Sequence, residues 1–369
     1  MTDSAETVDD DRLKKALSDL GTNDVARASM MRLLRTLEAS SETPSGFRER
    51  VRWPLVEALI GRSETHRIRL RNGLLFDLGL DSRIEKAALL SAEEHPDHLW
   101  EPQTTRLLIA LSAGASQVVV GGAYIGDQVL PIALQLRDES PEGVVHAFEP
   151  MAISHGRLLH NISINSLRNV HVHRRGLWDV DDVPLLLEGE PALTGAVASE
   201  NSLAPADSAV LSITIDSYVR QENLNRVGLI MLDTEGGEER ALRGASRLLS
   251  LPFPSAPNLV FEVHRDHVDW THGLESTAVV TMLMKHGYRV FAVRDFHSNV
   301  AMHGQPIEVI PIDRVYLDGP PHGFNLLATK DHGLVERLGL KIVSDVSPKY
   351  LLDKDPALHH PVGGWIDHR

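Results

Sequence analysis

The stretch VVVGGAYIGDQ, residues 118–128, decides the fold. Three valines with no polar alternation read as a buried strand of a parallel sheet, covered on both faces. The strand breaks at Gly121-Gly122, and the chain restarts as a helix after Gly126. Glycines at such a break let a ligand approach the backbone, and the helix N-terminus offers unpaired N–H groups to it. This is the first strand, turn and helix of a nucleotide-binding α/β fold.

The next apolar run ends HAFEP, so Glu149 stands at a strand end a little over twenty residues beyond Gly126. There an acidic side chain accepts hydrogen bonds from both hydroxyls of a ribose. The turn lacks the G-x-G-x-x-G spacing, since the glycine after Gly122 is Gly126. That favours a nucleoside without a pyrophosphate over a dinucleotide.

Working outward, strands are predicted at 117–121, 143–148, 170–174, 229–233, 259–264, 289–293 and 326–329, alternating with helical patterns. The last two are candidates for an antiparallel pair. The proline- and glycine-bearing excursion between them, 296–324, exceeds an ordinary loop and reads as a lid or substrate element. Upstream, 11–60 reads as several helices, and 67–80 as a hairpin turning at Asn72-Gly73, where both residues would take positive φ. Arg67, Arg69 and Arg71 alternate as a solvated strand face. Residues 1–10 are polar and acidic and are expected to fray. The divisions expected are 1–99 for a helical extension with hairpin, 100–335 for the ligand-binding domain and 336–369 for a C-terminal tail.

Composition narrows the function. Apolar residues make up 42% and charged residues 24%, as in ordinary globular proteins. Acidic residues outnumber basic ones 51 to 37, a net charge of -14 that repels a phosphate backbone, so nucleic acid is not an expected partner. There is no cysteine, which excludes disulfides, thiolate metal sites and a cysteine nucleophile. The acidic start MTDSAETVDDD lacks the basic and apolar regions of a signal peptide, and no apolar run is long enough to span a membrane. A cytoplasmic protein with no membrane partner is expected, and nothing opposes a homo-oligomer.

Asp233 and Glu235 end a buried strand before Gly236-Gly237, at the edge where ligands bind in doubly wound sheets. Burial beside a second carboxylate would raise a pKa and suit one of them to accept a proton from an alcohol. Asp233 capping the next helix is the structural alternative. His264 ends the following strand and titrates near neutrality, which makes it the preferred base. The run HRDHVDWTH, 264–272, has no spacing that defines a metal site, and no metal is indicated, although Asp233 with neighbouring carboxylates could hold a divalent ion.

Five ordered blocks, VVVGGAYIGD, HAFEPMAISHGRLLHNISINSLRNVHVHRRGLWD, ITIDSYV, LIMLDTEGGEERALRGASRLL and LVFEVH, resemble those of the FkbM-type methyltransferases. Trp100-Glu101-Pro102 resembles the short block before their first strand, and Phe324-Asn325-Leu326-Leu327 carries looser similarity. The resemblance implies a Rossmann-like seven-stranded methyltransferase sheet, S-adenosyl-L-methionine as cofactor, and O-methylation of a small-molecule acceptor, a sugar or natural-product hydroxyl. It places Gly121, Gly122, Ala123, Tyr124, Gly126 and Asp127 in the turn under the cofactor. Glu149 and Pro150 fall at the ribose, Leu177, Trp178 and Asp179 near the adenine, and Asp233 near the methionine end. Trp178 would flank the purine or serve only as a core aromatic. The sequence departs from the family at Val120, where an acidic residue is common, at Tyr124, where asparagine is usual, and at Met231, where lysine is usual; these bear on the methionine end and the acceptor. The rivals are a nicotinamide-dependent oxidoreductase and a catalytically silent methyltransferase-fold binding module.

Overall fold

A computed structural model describes residues 3–41, 44–60, 65–90, 95–140, 142–188, 195–198, 209–317 and 323–350. Its N-terminal part is helical. The helix Asp3–Gly21 begins inside the stretch expected to fray, and Asp24–Ser40 follows, capped by the Asn23 side chain, which accepts from the Ala26 N–H at 3.0 Å. After the helix Trp53–Ile60 comes the hairpin of β1 (His66–Arg69) and β2 (Leu75–Leu78). Only Gly73 of its turn takes a positive φ, +89°, because the turn closes through Gly73 N–H to Leu70 carbonyl (2.9 Å) and needs a single left-handed residue. Arg67 and Arg69 are exposed, and Arg67 grips Asp77 across the hairpin with two bonds of 2.7 Å.

The main sheet takes β3 (Gln117–Gly121), β4 (Val144–Phe148) and β5 (Val170–His173) in succession. A small sheet follows, made of β6 (Gly176–Leu177), β7 (Pro184–Glu188), β8 (Gly195–Ala198) and β9 (Ala209–Ile213). The chain then returns through β10 (Val227–Leu232), β11 (Asn258–His264), β12 (Arg289–Val293), β13 (Glu308–Pro311), β14 (Gly323–Thr329) and β15 (Lys341–Ile342).

The main sheet has nine strands in the order β15-β13-β12-β14-β11-β10-β3-β4-β5. All seven predicted strands are present and contiguous, and two more, β13 and β15, extend the β12 edge. β13 lies inside the excursion 296–324, which is thus partly sheet. β15 has two residues, too few for a period to register. β15 lies within the segment read as a tail. The last two predicted strands, β12 and β14, do pair antiparallel, and β14 also runs antiparallel to β11.

β3, β4, β5, β10 and β11 are parallel, and β3 sits between β4 and β10. The chain departs from β3 to one side and returns on the other, so the crevice opens at the C-terminal ends of β3, β4 and β10. Val118, Val120, Met231 and Val260 point into one core, and Val119, Ile230, Leu232, Leu259 and Phe261 into the other. Two buried faces explain the strands' unbroken apolar runs. Among the described residues, no helix is long and apolar enough to cross a membrane.

Candidate functional site

The turn after β3 is shaped by the chain itself. Gly122 (φ +74°) and Ala123 both donate to the Phe148 carbonyl, at 3.0 and 3.1 Å. A Cβ on Gly122 would stand 1.6 Å from the Asp233 carbonyl oxygen, so the backbone after β10 demands this glycine. Glycine is therefore needed here on structural grounds as well as the ligand clearance expected of it, and Gly122 does line the cavity described below. A Cβ on Gly126 would meet Leu130 Cδ1 at 2.3 Å and Leu158 Cδ1 at 2.9 Å; this glycine makes room for helix packing. The helix expected directly after Gly126 begins at Val129.

A cavity of about 470 Å³ opens at the strand ends, within the range of small-molecule sites. Gly122, Tyr124, Asp127, Glu149, Pro150, Leu177, Trp178, Asp233, Glu235 and His264 all line it. Gly121, Ala123 and Gly126 lie behind that lining, because their turn is packed against Leu177, Leu232, Leu130 and Leu158. Asp179 is also outside; its carboxylate holds Arg240 at 2.7 Å, and that guanidinium lies 5.8 Å from the Trp178 ring.

At one end of the cavity, Glu149 accepts hydrogen bonds from the backbone N–H groups of Tyr124 (2.7 Å) and Met151 (2.8 Å). Phe148, Leu177 and Trp178 supply apolar surface beside it. Burial pushes the Glu149 carboxyl up to about 7, against those two donors. It does the same to Asp127, also to about 7, with the Glu101 charge adding to the effect. Tyr124 carries φ +43°, a conformation asparagine tolerates far better.

The other end is acidic. Asp233, Glu235 and Glu262 each bring a carboxylate oxygen within 4.8 Å of the others, a grouping a divalent cation could use. Burial, then mutual repulsion, raises Asp233 and Glu262 well above the usual carboxylate range, and burial raises Glu235 to about 7. Asp233 is not the helix cap. Glu238 holds that turn, accepting from the Thr234 N–H (2.6 Å) and the Gly236 N–H (3.1 Å).

His264 reaches the cavity, yet its Nδ1 accepts the Asp266 N–H at 3.2 Å, so the neutral ring carries its proton on Nε2. The Asp266 carboxylate stands 3.6 Å from the same nitrogen, beyond hydrogen-bond reach. In this tautomer Nε2 is the donor.

Glu101, Glu262, His297 and Lys349 are among the lining residues whose place at the site was not expected from the sequence. An acidic residue inside the apolar strand LVFEVH was a signal available for Glu262. The others meet only through the fold. Glu101 accepts from Asn325 Nδ2 at 2.6 Å, and its other oxygen lies 3.1 Å from His297 Nε2 and 3.4 Å from Lys349 Nζ. Trp53, Arg83 and Lys86 from the helical extension complete the wall.

Comparison with known proteins finds one family match. Residues 121–290 match the family described as Methyltransferase FkbM domain. No curated protein sequence matches the chain. Solved structures that the chain matches include a SAM-dependent methyltransferase from Agrobacterium tumefaciens, at 11% identity and a TM-score of 0.37, covering 72% of this chain and 69% of that one. Another is an O-methyltransferase from Bacillus cereus in complex with SAH, at 14% identity and a TM-score of 0.34, covering 62% of this chain and 81% of that one. The M. jannaschii TYW2 in complex with AdoMet is similar at 14% identity and a TM-score of 0.31, covering 73% and 85%. Likeness at this level fixes neither cofactor nor acceptor. The span 121–290, with the glycine turn, Glu149 and the Asp233 edge all inside it, is thus similar to the FkbM methyltransferase domain.

Proposed function

We propose that the protein is an S-adenosyl-L-methionine-dependent methyltransferase that O-methylates a hydroxyl of a sugar or natural product in the cytoplasm. The observation that carries this reading is the Glu149 carboxylate lining the cavity at the end of β4. Its two backbone donors fix its orientation, and a carboxylate has acceptor sites left for a ribose diol. The rest of the cavity fits the same molecule. Leu177 and Trp178 offer apolar surface to a purine, while Asp127 is a buried carboxylate suited to a methionine ammonium, in place of the acidic residue absent at Val120.

The bound methyl sulfonium supplies an activated methyl group. The protein's part is to hold the acceptor oxygen in line and to keep water out. Asp233, Glu235 and His264 are the groups proposed to face the acceptor, His264 as a hydrogen-bond donor to an acceptor oxygen. Isothermal calorimetry tests the reading. S-adenosylmethionine and S-adenosylhomocysteine should bind and NADH should not, and a mass-detected acceptor screen should then find the methylated product. Binding of NADH alone would favour the oxidoreductase, and binding of none of the three the silent module.

A further inference from the structure

Methyl transfer to a hydroxyl must dispose of the hydroxyl proton, and the acceptor end of the cavity offers one imidazole with the right tautomer. His297 sits on the excursion after β12, lines the cavity, and stacks on Trp100 with ring centres 5.8 Å apart and planes 25° apart. Its Nε2 lies 3.1 Å from Glu101 Oε1. Glu101 is only 4% exposed, so this carboxylate is a fixed partner. Its other oxygen is held by Asn325 Nδ2 at 2.6 Å. The nearby negative charge favours the proton on Nε2 and so leaves the Nδ1 lone pair for an incoming proton. The same carboxylate stabilises the imidazolium that results, as the third member of a triad does. His264 has the opposite arrangement, with Nδ1 engaged as an acceptor.

We propose that His297, oriented by Glu101, is the general base of the reaction; this rests on the methyltransferase reading. The acceptor O–H bond breaks and its proton passes to His297 Nδ1, while the oxygen's electron pair bonds to the methyl carbon. The carbon–sulfur bond of the methyl sulfonium, the co-reactant, breaks with its pair on sulfur. The positive charge that leaves sulfur therefore ends on the imidazolium, beside Glu101. The charged groups around the dyad are Lys349, 3.4 Å from Glu101 Oε1, and the cavity carboxylates Asp233, Glu235 and Glu262. Glu101 is a positioning residue; His297 is the one that meets the acceptor.

The first experiment needs no acceptor. ¹⁵N NMR of the full chain should show neutral His297 as the Nε2–H tautomer, and Glu101→Gln should lower its titration midpoint by about one unit or more. An Nδ1–H tautomer, or a midpoint indifferent to Glu101→Gln, would overturn the proposal. The second experiment uses S-adenosylmethionine with a panel of methyl hexopyranosides in single turnover. His297→Gln, a change at a 40% exposed side chain, should keep cofactor affinity by calorimetry. It should slow transfer by about 10²–10⁴ and remove an ionisation near neutrality. Wild-type rate in a His297→Gln protein that binds cofactor would overturn this proposal alone. A wild-type chain that binds no S-adenosylmethionine would overturn the methyltransferase reading and the proposal with it. If none of these glycosides is methylated, the tautomer and the Glu101→Gln shift decide.

Discussion

The backbone N–H of Tyr124 donates to the Glu149 carboxylate at 2.7 Å, so the turn after β3 and the end of β4 are locked to each other before any ligand arrives. Glu149→Ala removes both the proposed ribose acceptor and this lock. S-adenosylmethionine binding should weaken by about 1.5–3 kcal/mol, the scale of hydrogen bonds to a charged group. Calorimetry checks it, and an unchanged dissociation constant in a folded variant would remove Glu149 from the ribose site.

Gly122→Val separates the structural role of the glycine from ligand clearance. With a Cβ 1.6 Å from the Asp233 carbonyl and φ at +74°, the substitution should cost more than the roughly 1–3 kcal/mol of a strained backbone. Melting temperature and cofactor binding should fall together. A variant with wild-type melting that merely fails to bind would leave ligand clearance as its only role.

Asp127 and Glu149 both sit at about 7, above their unfolded values near 4, so both favour the folded state when protonated. The stability they contribute is present below about pH 4 and is lost as pH rises through about 7. The ligand-free protein should therefore melt lower at about pH 8 than at about pH 5, by about 2–4 °C for each kcal/mol lost. A cationic ligand favours the ionised carboxylates, so cofactor binding should release protons and tighten as pH rises through neutrality. Calorimetry in buffers of different ionisation enthalpy reads the proton count; proton uptake would contradict the assignment.

Asp295 caps a helix from far along the chain, accepting from the N–H groups of Gln103 (3.0 Å) and Thr104 (2.6 Å) at the start of Pro102–Ser112. Asp295→Ala should cost about 0.5–2 kcal/mol in chemical denaturation, and Asp295→Asn less, because one acceptor remains. Equal losses for both would mean that charge, and not the cap, is what counts.

The central strands were legible because each is an apolar run buried on both faces, and Glu149 because a strand-end carboxylate after a glycine turn has few other uses. The hairpin followed from Gly73. The small sheet β6 to β9 was not legible: β6 has two residues, too few for a period to register, and β7 and β9 pair across a chain reversal. Nor was the acidic end of the cavity. Glu101 meets Asn325 across 224 positions, and no local pattern encodes a contact of that separation. His264 was placed at the correct edge, but its tautomer depends on an Asp266 N–H that only the folded turn delivers.

The reach of Lys349 back to Glu101 spans 248 positions. A chain leaving the ribosome can form the glycine turn, Glu149 and the Asp233 edge long before Lys349 is synthesised, yet the wall that Lys349 supplies must wait for it. Nascent chains stopped short of that residue should therefore hold the Glu149 end of the pocket without the finished Glu101–Lys349 wall, so that synthesis itself sets the order in which the two parts form.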